Sequence, residues 1–545
     1  MKAKRYLLTL AVVAVLCGTS AMAQDFTKGL LYFNDGNFVL AKKYLLKELN
    51  GANKDQAYYL LGKNYQNQGI KDSAAIYYQK GLEVNPENAF AYVGLGEIAL
   101  SSGDTKTAET NFKKAKSISS EKKNPALWMA IYAAYMNQAT PNVEDANDYL
   151  NKAKSINKNF AGIYITEGDI LLNQKKIGEA ATKYETAIYY DKASKEAFLK
   201  LGRIYVKSGN YQQSLDAFNN LYQLDSTYFP VHKERGEVYY AQGKFADAEK
   251  SYAKFFAAGE PSYNDLVRYA LILFFNKDYN KSLEIVKQAQ ALNPTSPVAN
   301  RVLAYNLFET KDYANGVKVM EQFLANAKPD DILQSDNEYY ARLLSGAGND
   351  SLAITYFGKA ITPKNRIAMT REIQSLYQKM KRYDKSADIF EQLYGEKANL
   401  SPSGYFEWAK ENYYAGNSEK LDSLTKVAYL HKADSLFSIF TEKQPDSYLG
   451  YIYRARVNSS FDPTSTQGLA KPYYEKVIEI LEPKGEPKLD PAKVERKREL
   501  AEAYLYIGYQ YYLKNDMANF KASFGKVLLL DPTNDKAKAA LSGLK

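Results

Sequence analysis

The sequence predicts an all-α solenoid, in which short helices stack in pairs along one direction. The first observation is a pattern of small, aromatic and proline residues that returns every 34 positions. The second is that one small residue of this pattern keeps its place through six consecutive blocks, from Ala146 to Gly316. The third is turn-forming glycine inside many blocks, as in Gln68-Gly69. Because a chance helical sequence would not hold this phase, we interpret each block as one helix–turn–helix unit.

The block Asp55–Asn88 shows what each position requires. Small residues stand where two helices must approach closely, and aromatic residues stand where the space between them must be filled. Proline closes the block, since it lacks the backbone N–H that the second helix would need to continue. In this block the pattern residues are Tyr58, Leu61, Gly62, Tyr65, Ala74, Tyr78, Gly81 and Pro86. The same grid returns in Lys195–Tyr228 and again between Tyr504 and Pro532.

This pattern resembles the tetratricopeptide repeat (TPR), a unit of two helices with the same period. The resemblance covers nearly the whole chain after its first residues and implies about 13–14 repeats. It also implies a right-handed superhelix of antiparallel helix pairs. Repeats of this kind bind other molecules and seldom catalyse reactions, so we expect a protein that binds protein or peptide partners.

Residues 1–23 are predicted to be a signal peptide. A basic start is followed by the apolar run Leu7–Leu16 and by the small-residue cleavage motif Ala21-Met22-Ala23, which is the order of an export signal. We therefore expect a mature chain that begins at Gln24, in the periplasm or at the periplasmic face of the outer membrane of a bacterium. The alternatives are a buried N-terminal helix and a membrane anchor.

Cysteine and charge exclude several classes of protein. Cys17 is the only cysteine and would leave with the signal peptide, so no disulfide or thiolate chemistry is expected in the mature chain. A lipid anchor on Cys17 is not expected, because Leu16 stands where a small residue should precede it. The net charge is +10, but the basic residues are interspersed with acidic residues along the chain and do not cluster. This distribution argues against nucleic-acid binding. No later apolar stretch is long enough to predict a transmembrane span.

The repeats are less regular in the second part of the chain. We predict a regular superhelix over residues 24–330, followed by less regular repeats with longer loops over residues 331–545. The segment Ala327–Asp330 is predicted to be a longer joint near this boundary, and a flexible hinge at Ala327–Gln334 is the alternative. The segment Asn534–Leu541 is predicted to be a capping helix with a polar outer face, which the end of a solenoid needs. Whether the two parts form one continuous solenoid is left open.

The sequence contains no pattern typical of an enzyme. Its two histidines, His232 and His431, are far apart, and neither belongs to a zinc-binding motif. Phosphate-binding loops and nucleophile elbows are also absent from the sequence. We expect no catalytic residue, no metal and no cofactor. A hidden enzyme between Lys328 and Pro491 is a remote alternative.

One face of each first helix should line the inner wall of the superhelix, because it lies opposite the second helix of the same unit. Basic and aromatic residues recur on this face, and they suit an extended peptide with acidic or aromatic side chains. The predicted partner-binding residues are Lys63, Arg203, Lys233, Tyr240, Arg301, Tyr305, Arg342 and Tyr509. The alternative is a solvated groove whose charges only keep the array soluble.

These observations lead to one functional hypothesis and one alternative. The hypothesis is a non-catalytic scaffold, located in the periplasm or at the outer membrane, that holds protein partners for envelope assembly, secretion or transport. The alternative is a binding module for glycans or peptidoglycan, in which tyrosine rings would stack on sugars.

Overall fold

The computed structural model describes residues 24–118, 122–395, 399–482 and 489–543. These residues form 29 α-helices and two short 3-10 turns, Pro329–Asp331 and Pro491–Lys493, and they contain no β-strand. The predicted signal peptide, residues 1–23, lies outside the described residues. The chain divides into two compact units, residues 1–310 and 311–545.

The first unit holds helices α1 to α17, and most of them are between 11 and 14 residues long. Their bounds are α1 Gln24–Asn34, α2 Phe38–Glu48, α3 Lys54–Asn67, α4 Lys71–Val84, α5 Ala89–Leu100, α6 Thr105–Ser117, α7 Pro125–Met136, α8 Val143–Ile156, α9 Ala161–Asn173, α10 Ile177–Tyr190, α11 Lys195–Lys207, α12 Tyr211–Leu224, α13 Pro230–Ala241, α14 Phe245–Ala258, α15 Tyr263–Phe275, α16 Tyr279–Leu292 and α17 Pro297–Glu309. Each odd-numbered helix up to α15 packs on the even-numbered helix that follows it.

The second unit holds helices α18 to α29 and is more variable in helix length. Their bounds are α18 Tyr313–Asn326, α19 Gln334–Gly346, α20 Asp350–Ala360, α21 Arg366–Lys379, α22 Tyr383–Tyr394, α23 Pro402–Gly416, α24 Ser423–Lys443, α25 Tyr448–Phe461, α26 Lys471–Leu481, α27 Lys497–Leu513, α28 Met517–Leu530 and α29 Asp535–Ser542. The predicted all-α array of stacked helix pairs is confirmed.

Glycine on an odd-numbered helix faces an aromatic ring of the next helix, sixteen residues later. A Cβ atom on Gly62 would lie 2.5 Å from the ring of Tyr78, and one on Gly202 would lie 2.4 Å from the ring of Phe218. Glycine costs about 1 kcal/mol relative to alanine inside a helix. It is retained here because any larger side chain would overlap the ring that fills the space between the paired helices.

The small residue near the start of each second helix is the other fixed point of the repeat. Where it is serine, its hydroxyl donates back to the preceding helix: Ser214 Oγ lies 2.8 Å from the carbonyl oxygen of Gly202, and Ser282 Oγ lies 2.7 Å from that of Ala270. The residues at this position are all buried: Ala41, Ala74, Ala108, Ala146, Ala180, Ser214, Ala248, Ser282, Gly316, Ala353, Ala387, Ala433, Ala470 and Phe520.

Two segments for which the sequence predicts a special role lie near the beginning and at the end of the second unit. The segment given as the alternative hinge, Ala327–Gln334, contains the 3-10 turn between α18 and α19. The last helix, α29, buries Ala537 and exposes its lysines, as expected of a cap. The compact units divide at Thr310, and the division near residue 330 into regular and less regular repeats stays a prediction. Among the described helices, none is both long and apolar enough to cross a bilayer.

Candidate partner-binding wall

Odd-numbered helices form one continuous side of the first unit. Neighbouring odd-numbered helices contact each other directly from α1 to α9, and again between α11 and α13 and between α15 and α17. Neighbouring even-numbered helices approach each other less closely in the described residues. The stack therefore curves with its odd-numbered helices inside. We call the exposed side of these helices the inner wall.

All eight residues predicted to bind partners lie on odd-numbered helices. Lys63 is on α3, Arg203 on α11, Lys233 and Tyr240 on α13, Arg301 and Tyr305 on α17, Arg342 on α19, and Tyr509 on α27. The 34-residue grid thus identified the helices correctly. The binding role of these side chains stays a prediction.

Basic side chains on the inner wall pair with carboxylates of the neighbouring odd-numbered helix. We call this set of ion pairs the charge ladder, and in the first unit it joins α3 to α5 and the successive odd-numbered helices from α9 to α15. Its nitrogen–oxygen pairs are Lys63–Glu97 at 3.7 Å, Lys200–Asp169 at 2.7 Å, Arg203–Glu234 at 2.8 Å, Lys233–Asp265 at 3.5 Å and Arg268–Glu237 at 3.1 Å. In the second unit, Arg342 of α19 lies 3.1 Å from Glu372 of α21, and Arg456 of α25 lies 2.7 Å from Glu502 of α27.

The ladder keeps its basic members charged. Burial would lower the pKa of Lys200, but the charges of Asp169 and Glu196 outweigh it and raise that pKa above its ordinary value. The pKa of Arg203 is raised in the same way, since the attraction of Glu234 exceeds the cost of burial. These cations are therefore already neutralised by the protein's own acids. An acidic partner has to compete with those acids for them.

Aromatic residues on the wall differ in how much surface they offer. The ring of Tyr240 packs against Phe245 and Phe275, with centroids 5.8 and 6.1 Å away, and the guanidinium of Arg268 lies 4.7 Å from it. The ring of Tyr305 lies 6.0 Å from that of Phe274, on the same helix as the partly buried Arg301. Both tyrosines are partly covered by their neighbours.

Tyr509 is the most open of the eight predicted residues. It is 40% exposed and stacks on Tyr512, which is 45% exposed, with ring centroids 6.1 Å apart. Two large rings thus present a flat surface on one side of α27. Exposed tyrosine pairs of this kind supply contact area at a low cost in side-chain entropy.

The first helix pair returns to the seventh pair of the same unit. Asp35, in the turn between α1 and α2, accepts a hydrogen bond from Lys233 Nζ at 2.5 Å. Lys43 of α2 lies 2.7 Å from the carboxylate of Glu260, in the loop before α15. The backbone N–H of Glu260 donates to the hydroxyl of Tyr32 at 2.8 Å. We call these interactions the closing contact, because they join the beginning of the stack to a point about 200 residues later.

Asp35 is a buried carboxylate that is only partly hydrogen-bonded within the closing contact. Its side chain is 2% exposed, and Oδ1 has no hydrogen-bond donor among the described residues. Burial raises its pKa to about 6, although the charges of Lys233 and Arg203 favour the ionised form. Burial also works against the charge of Lys233, but two carboxylates, Asp35 and Asp265, raise the pKa of that lysine above its ordinary value.

The described residues contain no group of three or more His, Cys, Asp or Glu side chains placed to hold a metal ion. His232 packs beside the ring of Tyr222 at 5.4 Å, and burial lowers its pKa. His431 stacks on Phe461 at 4.5 Å. Each histidine is therefore part of an aromatic contact.

Family models match three parts of the chain. Two models described as tetratricopeptide repeat match residues 165–228, and residues 55–88 and 91–122. A third, described as anaphase-promoting complex, cyclosome, subunit 3, matches residues 241–323.

The chain is also similar to individual proteins. A TPR repeat-containing protein of Methanocaldococcus jannaschii is 25% identical over 388 residues, which are 65% of this chain and 66% of that protein. The chain thus spans slightly less than two thirds of the length of this relative.

Two solved structures are similar to parts of the chain. The C-terminal part of a TPR repeat-containing protein from Cytophaga hutchinsonii is 32% identical, with 51% of this chain and 99% of that chain covered and a TM-score of 0.36. YrrB, described as a TPR protein with an unusual peptide-binding site, is 15% identical, with 33% and 92% covered and a TM-score of 0.30. On the family models and the Cytophaga relative, the chain belongs to the tetratricopeptide repeat proteins.

Proposed function

We propose that this chain is an exported, non-catalytic scaffold that binds protein partners on the inner wall of its repeats. It would act in the periplasm or at the periplasmic face of the outer membrane, in envelope assembly, secretion or transport. The observation that carries the proposal is the combination on odd-numbered helices of exposed aromatic rings with a framework of ion pairs. TPR proteins generally bind peptide or protein partners through such surfaces.

The charge ladder supports binding by holding the wall in one shape. Each of its ion pairs joins two neighbouring repeats, so it limits their movement relative to each other. A surface that is already ordered loses less conformational entropy when a partner binds. The ladder is therefore more important as a framework than as a source of free positive charge.

The apolar cluster of the first helix pair is compatible with the export part of the proposal. Its first buried member is Phe26, which is 1% exposed and follows the expected first residue of the mature chain, Gln24. Cleavage after Ala23 would leave this cluster intact.

Affinity capture from envelope fractions tests partner binding. The full mature chain is expected to retain defined protein partners in fixed ratio. Changing Tyr509 and Tyr512 together to alanine should reduce this capture about tenfold or more, because large exposed rings are frequent hot spots of binding. Tyr189→Ala is the matched control, since Tyr189 is 74% exposed but lies on the even-numbered helix α10. Melting curves of both variants should match that of the unchanged protein.

Three outcomes would contradict parts of this proposal. Equal capture by the double variant and by the control would remove the α27 surface from the binding site. Retention on purified peptidoglycan without any protein partner would favour the glycan-binding alternative. N-terminal sequencing of the protein from the envelope fraction should give Gln24, and an intact leader on a cytosolic protein would contradict export.

A further inference from the structure

The closing contact places a carboxylate of the protein itself on its inner wall. Asp35 comes from the turn between α1 and α2, and it reaches a position next to side chains of α11 and α13. Lys233 donates to one of its oxygens, and the positive charge of Arg203 also acts on it. Two of the eight residues predicted to bind an acidic partner, Arg203 and Lys233, are therefore already under the influence of this carboxylate.

The surroundings of Asp35 have the chemistry of a carboxylate-binding seat. We use this name for Arg203, Tyr228 and Lys233, which lie on α11, just before α13 and on α13. Two cations supply charge, and a phenol hydroxyl supplies a further donor. Charge-assisted hydrogen bonds from such groups to a carboxylate are among the stronger hydrogen bonds in proteins.

Asp35 occupies this seat without satisfying it. Its Oδ1 is buried and has no donor among the described residues, and the hydroxyl of Tyr228 is also buried with no partner among them. Leaving such groups unpaired costs free energy, because water would otherwise solvate them. A carboxylate on a more adaptable segment can be placed to accept from both Lys233 and Tyr228. The seat is therefore better suited to another ligand than to Asp35.

The rest of the closing contact combines exposed polar interactions with a buried aromatic contact, since Tyr32 and Tyr44 are 3% and 5% exposed and Phe229 packs against their cluster. The ion pair between Lys43 and Glu260 is about half exposed on both sides, at 48% and 46%. Exposed ion pairs contribute little to stability, because water screens them and two long side chains lose freedom. The ring of Tyr32 touches Phe229 edge-on at 6.0 Å. Separation of the first helix pair from α13 breaks these contacts but leaves the packing of α1 and α2 on α3 in place.

We propose that helix pair α1–α2 is an intramolecular latch over the carboxylate-binding seat, and that an acidic segment of a partner protein binds the seat once the latch has opened. The inference rests on the proposed function, since it names the partner chemistry and the regulation of the same inner wall. In the closed form, Asp35 excludes the partner. In the open form, the partner's carboxylate takes the place of Asp35 beside Lys233.

A labelled, short Asp-rich peptide is the probe, and fluorescence anisotropy on the full mature chain is the measurement. Lys43→Glu places two carboxylates opposite each other and should open the latch. The apparent affinity for the peptide should then rise about tenfold, because affinity scales with the fraction of molecules in the binding-competent form. The rise is diagnostic, since this substitution makes the protein more acidic and would by itself weaken binding of an acidic peptide.

Three further variants separate the latch from general charge effects. Combining Lys43→Glu with Glu260→Lys restores an ion pair and should return the affinity to that of the unchanged chain. Lys176→Glu makes the same change of charge on a lysine of similar exposure, 51%, that is remote in sequence from the closing contact. This variant should not increase the affinity for the peptide. Adding Lys233→Gln to the open variant should abolish the gain. Hydrogen exchange of α1–α2 should be faster in the open variant and normal in the pair with restored charges.

Affinity that does not rise in Lys43→Glu, or a rise that persists without Lys233, would overturn the latch. These results are distinct from failure of the scaffold function, which is measured by capture of envelope proteins and depends on Tyr509 and Tyr512. Normal capture of envelope proteins together with unchanged peptide affinity in Lys43→Glu would support the scaffold function and contradict the latch. Unfolding of the Lys233→Gln variant would be detected by its melting curve, and Arg203→Gln then replaces it in the same comparison.

Discussion

Replacing Tyr78 by alanine is expected to lower the free energy of unfolding by about 3–5 kcal/mol. The ring is completely buried, and a Cβ atom on Gly62 or Gly94 would lie 2.5 Å from it, so both glycines already face the ring. Removing the ring leaves a cavity bordered by two residues that have no side chain with which to fill it. The hydroxyl of Tyr78 also donates to Gln66 at 2.5 Å, and that bond would be lost as well.

Urea unfolding followed by circular dichroism measures this loss, and hydrogen exchange shows where it occurs. Exchange should increase most in α3, α4 and α5, because each repeat of a solenoid contacts only its neighbours. Tyr189→Ala, which removes a mostly exposed ring, should change the free energy of unfolding by about 0.5 kcal/mol or less. A decrease in the free energy of unfolding of less than about 1 kcal/mol for Tyr78→Ala would contradict the conclusion that aromatic rings packed on glycine stabilise the paired helices.

Replacing Asp35 by asparagine is expected to stabilise the protein at alkaline pH. The pKa of Asp35 is about 6 in the folded chain, raised from 3.8 by burial. Because the folded state binds this proton more tightly than the unfolded state, the stability contributed by protonated Asp35 is present below pH 4 and is lost as the pH rises to about 6. A shift of this size corresponds to roughly 3 kcal/mol. Asparagine stays neutral, so it should avoid this loss.

The sign of this effect is opposite to that expected from breaking an ordinary salt bridge. Burial is the larger influence on Asp35, and the charged groups that act on it do not cancel it. The titratable groups facing Asp35 or its partner Lys233 are Tyr32, Arg203, Tyr228, Glu234 and Asp265. Lys233 keeps Asp265 as a counter-ion when Asp35 is neutral, so the substitution does not leave an isolated buried charge.

Urea midpoints at pH 4.5 and pH 8 test the Asp35→Asn prediction. The variant and the unchanged protein should be similar at the lower pH, and the variant should be more stable at the higher pH. Asp148→Asn on the exposed side of α8 should behave like the unchanged protein at both. A variant that is clearly less stable at pH 8 would show that the ion pair with Lys233 outweighs the cost of burying Asp35.

The fold could be predicted from the sequence because its main contacts are local. Gly62 and Tyr78 are sixteen residues apart, and the same spacing joins Gly202 to Phe218, so a fixed period reports the packing directly. Turn residues were predicted less completely. Glycine with positive φ occurs at Gly69 as expected, but Lys277 takes the same conformation at φ 64° in a turn without glycine. The residue type at this position therefore does not indicate the positive φ.

The inner wall could be predicted only in part. The repeat period placed Arg203 and Lys233 on the correct helices, because each belongs to a regular repeat. It did not identify Glu234 as the partner of Arg203, since that pairing depends on how far neighbouring repeats rotate. Asp35 lies 198 residues from Lys233, and no periodicity predicts where a curved stack returns to its own beginning.

Zero-length carbodiimide cross-linking of the full mature chain, read by mass spectrometry, tests most directly whether the first helix pair contacts the seventh. The reagent joins an amine to a carboxylate only when they touch. The ion pair Lys195–Asp225, at 2.8 Å within the helix pair α11–α12, provides the internal control. The structure predicts a cross-link between Lys43 and Glu260 in similar yield. Formation of the control cross-link without the Lys43–Glu260 cross-link would contradict the closing contact and, with it, the latch.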